Sequence, residues 1–238
     1  MPRHPTTCRT HMDFAAALGV LQQRVAAPYT PDEAARPANG EVGTATTGDG
    51  PLANCAECAT QPVGELAVLR DGQLLRLFLS RQEERVGVYR QFEEGFKLFL
   101  QVAEAQGYEA LVQKTTATFR GISAAVNAIE TELRARGSAL LPTAETLRRV
   151  QGMERQKLEL TARLHILRHG LAVDTLQTDM GVDEASANAA SRTAPLRAEE
   201  AREVEGQLEA LREQLNDAID EVRCELCDEL DEEEAEAQ

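Results

Sequence analysis

The chain has 238 residues (26.0 kDa), with 42% hydrophobic, 27% charged and only 4% aromatic content, and it lacks Trp. Its 25 basic and 40 acidic residues leave a formal charge of −15, which argues against a protein that coats nucleic acid through bulk positive charge. No apolar run approaches the roughly 18 residues of a membrane-spanning helix, and five Cys are too few and uneven for a disulfide framework, so a reducing compartment is expected.

Residues 1–64 are rich in Pro, Thr, Ala and Gly and read as a disordered, low-complexity segment, because such a composition buries too little apolar surface to offset the entropy of ordering. Within it, Asp13 to Ala26 carries Phe14, Leu18, Leu21 and Val25 at helical spacing. The first thirty residues begin with Arg and Thr and no acid before Asp13, a pattern shared by organellar transit peptides and ordinary tails.

From Asp71 the pattern becomes periodic. Leu75, Phe78, Gln82, Val86, Tyr89, Phe92, Phe96, Phe99 and Ala103 step by three or four, the face of a long helix closed by Gly107. A second stripe runs through Tyr108, Leu111, Thr115, Phe119, Ile122, Val126, Ile129 and Leu133 and ends at Gly137. Pro142 marks the turn after it. A third stripe follows through Leu147, Val150, Met153, Lys157, Leu160, Leu164, Leu167 and Leu171, with Gly170 as its C-cap.

These stripes predict an all-α protein whose residues 70–172 form an antiparallel three-helix hairpin bundle. Residues 173–194 read as a polar linker. Residues 195–238 read as a long acidic helix opened by Pro195 and ending in an acidic tail. Its stripe of Val204, Leu208, Leu211, Leu215, Ile219, Val222, Leu226 and Leu230 is narrow, like a coiled-coil seam, so a homodimer through this helix is expected as an alternative use. The acidity is uneven: residues 65–170 hold 16 basic and 13 acidic residues (+3), whereas residues 171–238 hold 5 basic and 21 acidic (−16). The acidic region serves either to solvate an extended helix, or to meet a basic partner or the Arg residues of the core.

Few residues suggest chemistry. Cys55 and Cys58, and Cys224 and Cys227, form two CxxC pairs that together supply four ligands for zinc or two dithiols for redox regulation. About 165 residues separate the pairs, and Glu225, Asp228 and Glu229 crowd the second pair with negative charge, so a metal is not expected. His165 and His169 stand one helical turn apart, without the Glu or third ligand of a metalloprotease motif. No phosphate-binding loop, nucleophile elbow or kinase motif is present, and neither a catalytic residue nor a cofactor is expected. Arg134, Arg136, Arg148 and Arg149 flank one turn and are the candidate contact for DNA or an acidic partner.

The runs LSRQEERVGVYRQFEEGFKLFL, TTATFRGISAAVNAIETEL and LRRVQGMERQKLELTARLHIL carry a further signal. Gln82, Glu84, Arg85, Tyr89, Phe92, Glu93, Glu94, Gly95 and Phe96 mark the first, and Thr115, Phe119, Ile122, Ser123, Ile129, Glu130 and Leu133 the second. Gln151, Glu154, Lys157, Leu158 and Thr161 mark the third. Over residues 74–168 the chain resembles the required-for-excision 1-B domain family. The resemblance implies excision repair of damaged DNA, including ultraviolet lesions, and brings no catalytic residues with it. The expected function is therefore a non-enzymatic helical adaptor, nuclear or cytoplasmic, that contacts other repair proteins and, less directly, DNA. A coiled-coil tether and a CxxC-based regulator are the alternatives. Glu93, Glu94 and the mid-helix Gly95 are the candidate partner-binding residues, Gly95 because its cost of about 1 kcal/mol in a helix suggests a close neighbour or a bend.

Overall fold

A computed structural model describes residues 63–102, 105–179 and 184–236 of the chain. The expected disordered segment 1–64, the short helix at 13–26 and Cys55 and Cys58 therefore lie almost wholly or wholly outside the described residues. A single turn, α1 (Val63–Leu66), precedes four long helices: α2 (Asp71–Val102), α3 (Ala105–Ala135), α4 (Leu141–Asp179) and α5 (Glu184–Glu236). No strand occurs among the described residues, so the all-α expectation holds.

Local signals set the helix ends. The Gln73 side chain accepts a hydrogen bond from the backbone N–H of Arg70 at 2.8 Å, and Asp71 places a carboxylate in the first turn of α2. Gly137 has φ of 126°, which a side chain would strain, and it turns the chain between α3 and α4. Pro142 then sits in the first turn of α4, where its missing N–H would have had no intrahelical acceptor.

The contacts between helices show their directions. Along α2 and α3, Asp71 meets Arg136 and Arg85 meets Ser123, so one number rises as the other falls. Along α3 and α4, Glu130 meets Arg148 and Tyr108 meets His165. Along α4 and α5, Arg149 meets Glu221 and Asp174 meets Arg197. Each consecutive pair therefore runs antiparallel.

The two C-terminal boundaries differ from those read in the sequence. The stretch 173–194 is not a non-helical linker in its described parts: α4 continues to Asp179, and α5 already begins at Glu184. Gly170 lies inside α4 rather than capping it, and Pro195 lies inside α5 rather than opening it. Tertiary contact explains the extension at Gly170. Its missing side chain lets Arg197 lie 3.1 Å from where a Cβ would sit, and Arg197 donates to the Gly170 carbonyl (3.4 Å) and to Asp174 (2.5 Å).

The acidic helix is also not an appendage. Leu211, Leu215, Ala218 and Val222 of α5 are buried in one core with Leu74, Leu75, Phe78, Phe92, Phe96, Val126, Ile129, Leu133, Leu147 and Val150. A second cluster joins Leu164 and Leu167 of α4 to Ala201, Val204 and Leu208 of α5. From Val204 to Leu226, the narrow seam expected to serve a homodimer thus packs against helices of the same chain.

Candidate functional site: a groove between α2 and α5

Polar residues interrupt the apolar stripes at three levels of the bundle, and each level has its own chemistry. At the end nearest α1, Arg136 donates to Asp71 (2.5 Å), to Glu132 (3.0 Å) and to the Leu66 carbonyl (2.9 Å). Burial opposes its charge, but the bonds to Asp71 and Glu132 outweigh that penalty and hold its pKa above the ordinary arginine value. The neighbouring arginines are paired as well. Arg134 and Arg148 both reach Glu130, at 2.9 and 3.3 Å, and Arg149 bonds Glu221 of α5. The four arginines do converge at one end of the bundle, yet each faces a carboxylate.

In the middle, the buried Arg85 guanidinium binds α2 to α3 and α4. It donates to Ser123 (3.1 Å) and to Gln151 (2.8 Å), and it lies 3.4 Å from Gln82 Oε1. Gln151 extends the network through its own amide, donating to the Ser123 carbonyl and to Asn127, both at 3.0 Å. Burial lowers the pKa of Arg85, an effect that Glu154 and other nearby acids partly offset. Beside this network the Tyr89 hydroxyl donates to the Glu154 carbonyl at 3.3 Å, and the Lys157 ammonium stands 4.0 Å above the Tyr89 ring. Lys157 also lies 3.6 Å from Glu154 Oε1, and burial lowers its pKa.

The third level is a relay through a histidine with no exposed surface. Tyr108 Oη lies 2.9 Å from His165 Nδ1, and His165 Nε2 lies 3.0 Å from Glu93 Oε1. Burial lowers the His165 pKa despite Glu93, so the ring is neutral and one tautomer fits: the Tyr108 hydroxyl donates to Nδ1, and Nε2–H donates to Glu93. The bond from His165 in turn lowers the Glu93 pKa, and burial raises that of Tyr108. The Phe96 ring stacks on the imidazole with a centroid distance of 3.8 Å and an interplanar angle of 7°. Glu93 passes the relay outward to Arg168 (3.6 Å), which bonds Glu205 of α5 at 2.9 Å.

Between the second and third levels a groove of about 610 Å³ opens, with α2 and α5 as walls and α4 as floor. Gln82, Val86, Tyr89, Glu93 and Lys97 line it from α2, and Glu154, Lys157, Thr161, Leu164 and Arg168 from α4. Leu208, Arg212, Leu215 and Ile219 are among its α5 residues. Val86, expected in the buried face of the first helix, is 53% exposed here because the groove leaves it uncovered.

Of the candidate partner-binding residues named from the sequence, only Glu93 lines the groove. Glu94 is exposed outside it, and Gly95 is filled by its neighbour: a Cβ there would lie 2.2 Å from Leu111 Cδ2, so Gly95 permits the close approach of α2 and α3. The arginine cluster lies at the opposite end, and Cys224 and Cys227 are exposed on α5. His165 and His169 do not converge on a common point. Both nitrogens of His165 are engaged, and His169 packs on Phe99 at 5.4 Å. Sequence reasoning misses Gln82, Glu154 and Lys157 as groove residues, although polar side chains at apolar stripe positions, as at Gln82 and Lys157, are their signal in the sequence.

No curated protein and no solved structure matches the chain. Its helical core does match a protein family, over almost the same span as the resemblance read from the three sequence blocks: residues 73–168, from the start of α2 to Arg168 of the relay, match the DNA repair REX1-B family.

Proposed function

We propose that this chain is a non-enzymatic adaptor in the excision repair of DNA, acting in the nucleus through protein–protein contacts made at the groove between α2 and α5. The DNA-repair family match over residues 73–168 carries the reading. The chemistry of the bundle supports it. Tyr108–His165–Glu93, an acid–base constellation that resembles a catalytic relay, has its histidine fully buried and both ring nitrogens engaged, which favours a role in holding helices together. The arginine cluster meets carboxylates, which weakens the case for a track along DNA phosphates.

Removal of ultraviolet photoproducts from genomic DNA, followed in cells lacking the gene and in cells complemented with full-length protein, tests the assignment. Slowed removal that complementation restores is expected. Removal at the normal rate would eliminate the excision-repair role. The purified chain is expected to cleave neither damaged nor intact duplex, and nuclease or glycosylase turnover would replace the adaptor reading with an enzymatic one.

A further inference from the structure

Two side chains that are more than nine-tenths buried line the groove with a polar atom left over. Gln82 is 5% exposed and Glu154 is 8% exposed. The Gln82 amide oxygen faces the Arg85 guanidinium at 3.4 Å, which orients the amide and leaves Nε2 as a donor without a partner among the described residues. One Glu154 oxygen, Oε1, faces Lys157, and the other, Oε2, has no hydrogen-bond partner among the described residues. Buried polar groups are normally hydrogen-bonded, so a donor and an acceptor both left open beside one cavity identify what would complete it.

The completing group must accept from an amide and donate to a carboxylate. A phosphate or carboxylate offers acceptors only and would meet the Glu154 charge. An ammonium or guanidinium offers donors only, which leaves the Gln82 amide unanswered and crowds Lys157. A hydroxyl offers one donor and its acceptor lone pairs on a single atom, whereas a primary carboxamide offers an acceptor oxygen and a donor nitrogen on separate atoms, one for each open group. The charges around the groove agree with a neutral occupant, since Lys97, Lys157, Arg168 and Arg212 are balanced by Glu93, Glu154, Glu205 and Glu209. Exposed Val86 supplies an apolar wall for the methylenes of such a side chain.

We propose that the groove between α2 and α5 binds the carboxamide of an Asn or Gln side chain on a partner polypeptide, with Gln82 donating to its oxygen and Glu154 accepting from its nitrogen. Both atoms are closed to solvent, so the carboxamide gains access as side chains lining the groove move aside. The proposal rests on the adaptor reading in naming a polypeptide as the occupant.

The test uses nitrogen-15-labelled full-length protein and three probes: N-acetyl-glutamine methylamide, its glutamate counterpart and a single-stranded oligonucleotide. The Gln82 side-chain amide resonance, assigned by its loss in Gln82→Met, is followed by titration. The glutamine probe is expected to shift it with at least tenfold higher affinity than the glutamate probe, and Gln82→Met is expected to weaken glutamine binding about tenfold as read from neighbouring backbone resonances. Glu94→Gln, outside the groove, should bind as wild type. If Gln82→Met fails to fold, the glutamine–glutamate comparison is read on wild type from the backbone resonances of α2 and decides alone. Equal binding of the two probes, no shift with either, or a shift caused by the oligonucleotide in place of glutamine each overturns the proposal. Because no partner or cell is involved, that result is separate from the repair assay that tests the adaptor reading.

Discussion

His165 shows how one buried residue converts sequence into pH sensitivity. Its folded pKa lies below the ordinary 6.5, so the unfolded chain binds a proton more readily, and stability falls as pH drops through 6.5 toward the folded value. Glu93, depressed below 4.5 by the same contact, adds a second loss of the same sign at lower pH. Chemical denaturation at pH 7, 6 and 5 is expected to show stability decreasing on acidification. A His165→Gln variant should lose the part of that slope nearest pH 6.5, and it should be less stable at pH 7 by about 1–3 kcal/mol through the groups left unpaired. An unchanged slope would mean that the ring is not the titrating group.

Much at the scale of single residues is legible in the sequence. The helix faces, the breaks at Gly137 and Pro142 and the need for a close neighbour at Gly95 follow from spacing and from steric rules that act within a few residues. The partners are not legible. Nothing in one sequence states that Arg85 reaches Ser123 and Gln151, which lie 38 and 66 positions away. For the same reason the four clustered arginines read as an open basic patch, because the acids that meet them come partly from α2 and α5.

Among the elements, α5 departs furthest from its sequence reading, because its charge hides its packing. The acids lie mainly on the outer face, and the narrow apolar stripe spends itself against α4 and α2. Leu211→Ala is expected to destabilise the whole bundle by about 3 kcal/mol in urea unfolding, since Leu211 is 4% exposed within the main core. Arg149→Ala removes a salt bridge whose partners are 51% and 55% exposed, and it should change stability by less than about 1 kcal/mol. If the Arg149 variant proved the more damaging of the two, the charges rather than the apolar seam would hold α5 in place. The stretch 184–194 reads as linker because its small and polar residues carry no apolar stripe, although its Ala residues favour a helix. It is helical where the return of α5 supplies contacts, such as the buried Ala190 and the Thr193 hydroxyl 3.4 Å from Asp174.

For the molecule as a whole, the family-matched segment 73–168 does not bury its own surface completely. Leu164 and Leu167 are covered by Ala201, Val204 and Leu208, and the main core is completed by four α5 side chains. A chain ending at residue 183 is therefore expected to bind a hydrophobic dye and to lose its cooperative thermal transition. A sharp transition with no dye binding would show that the three helices of the matched segment suffice. The groove would disappear with the truncation in either case, because α5 forms one of its walls.

The sequence by itself determined the all-α class, the three central helices, the family resemblance and the partition of charge into a +3 core and a −16 C-terminal region. These properties depend on residue type and on spacing over a few helical turns, which a linear chain records. Only the tertiary structure decided that the acidic region is a packed fourth long helix, that the arginines are answered by carboxylates, and that Gln82 and Glu154 line one groove. Each of those depends on which distant faces come together, and many acidic helices with a narrow apolar stripe are equally compatible with a free coiled coil. The −16 therefore describes the outside of a helix whose inside completes the core.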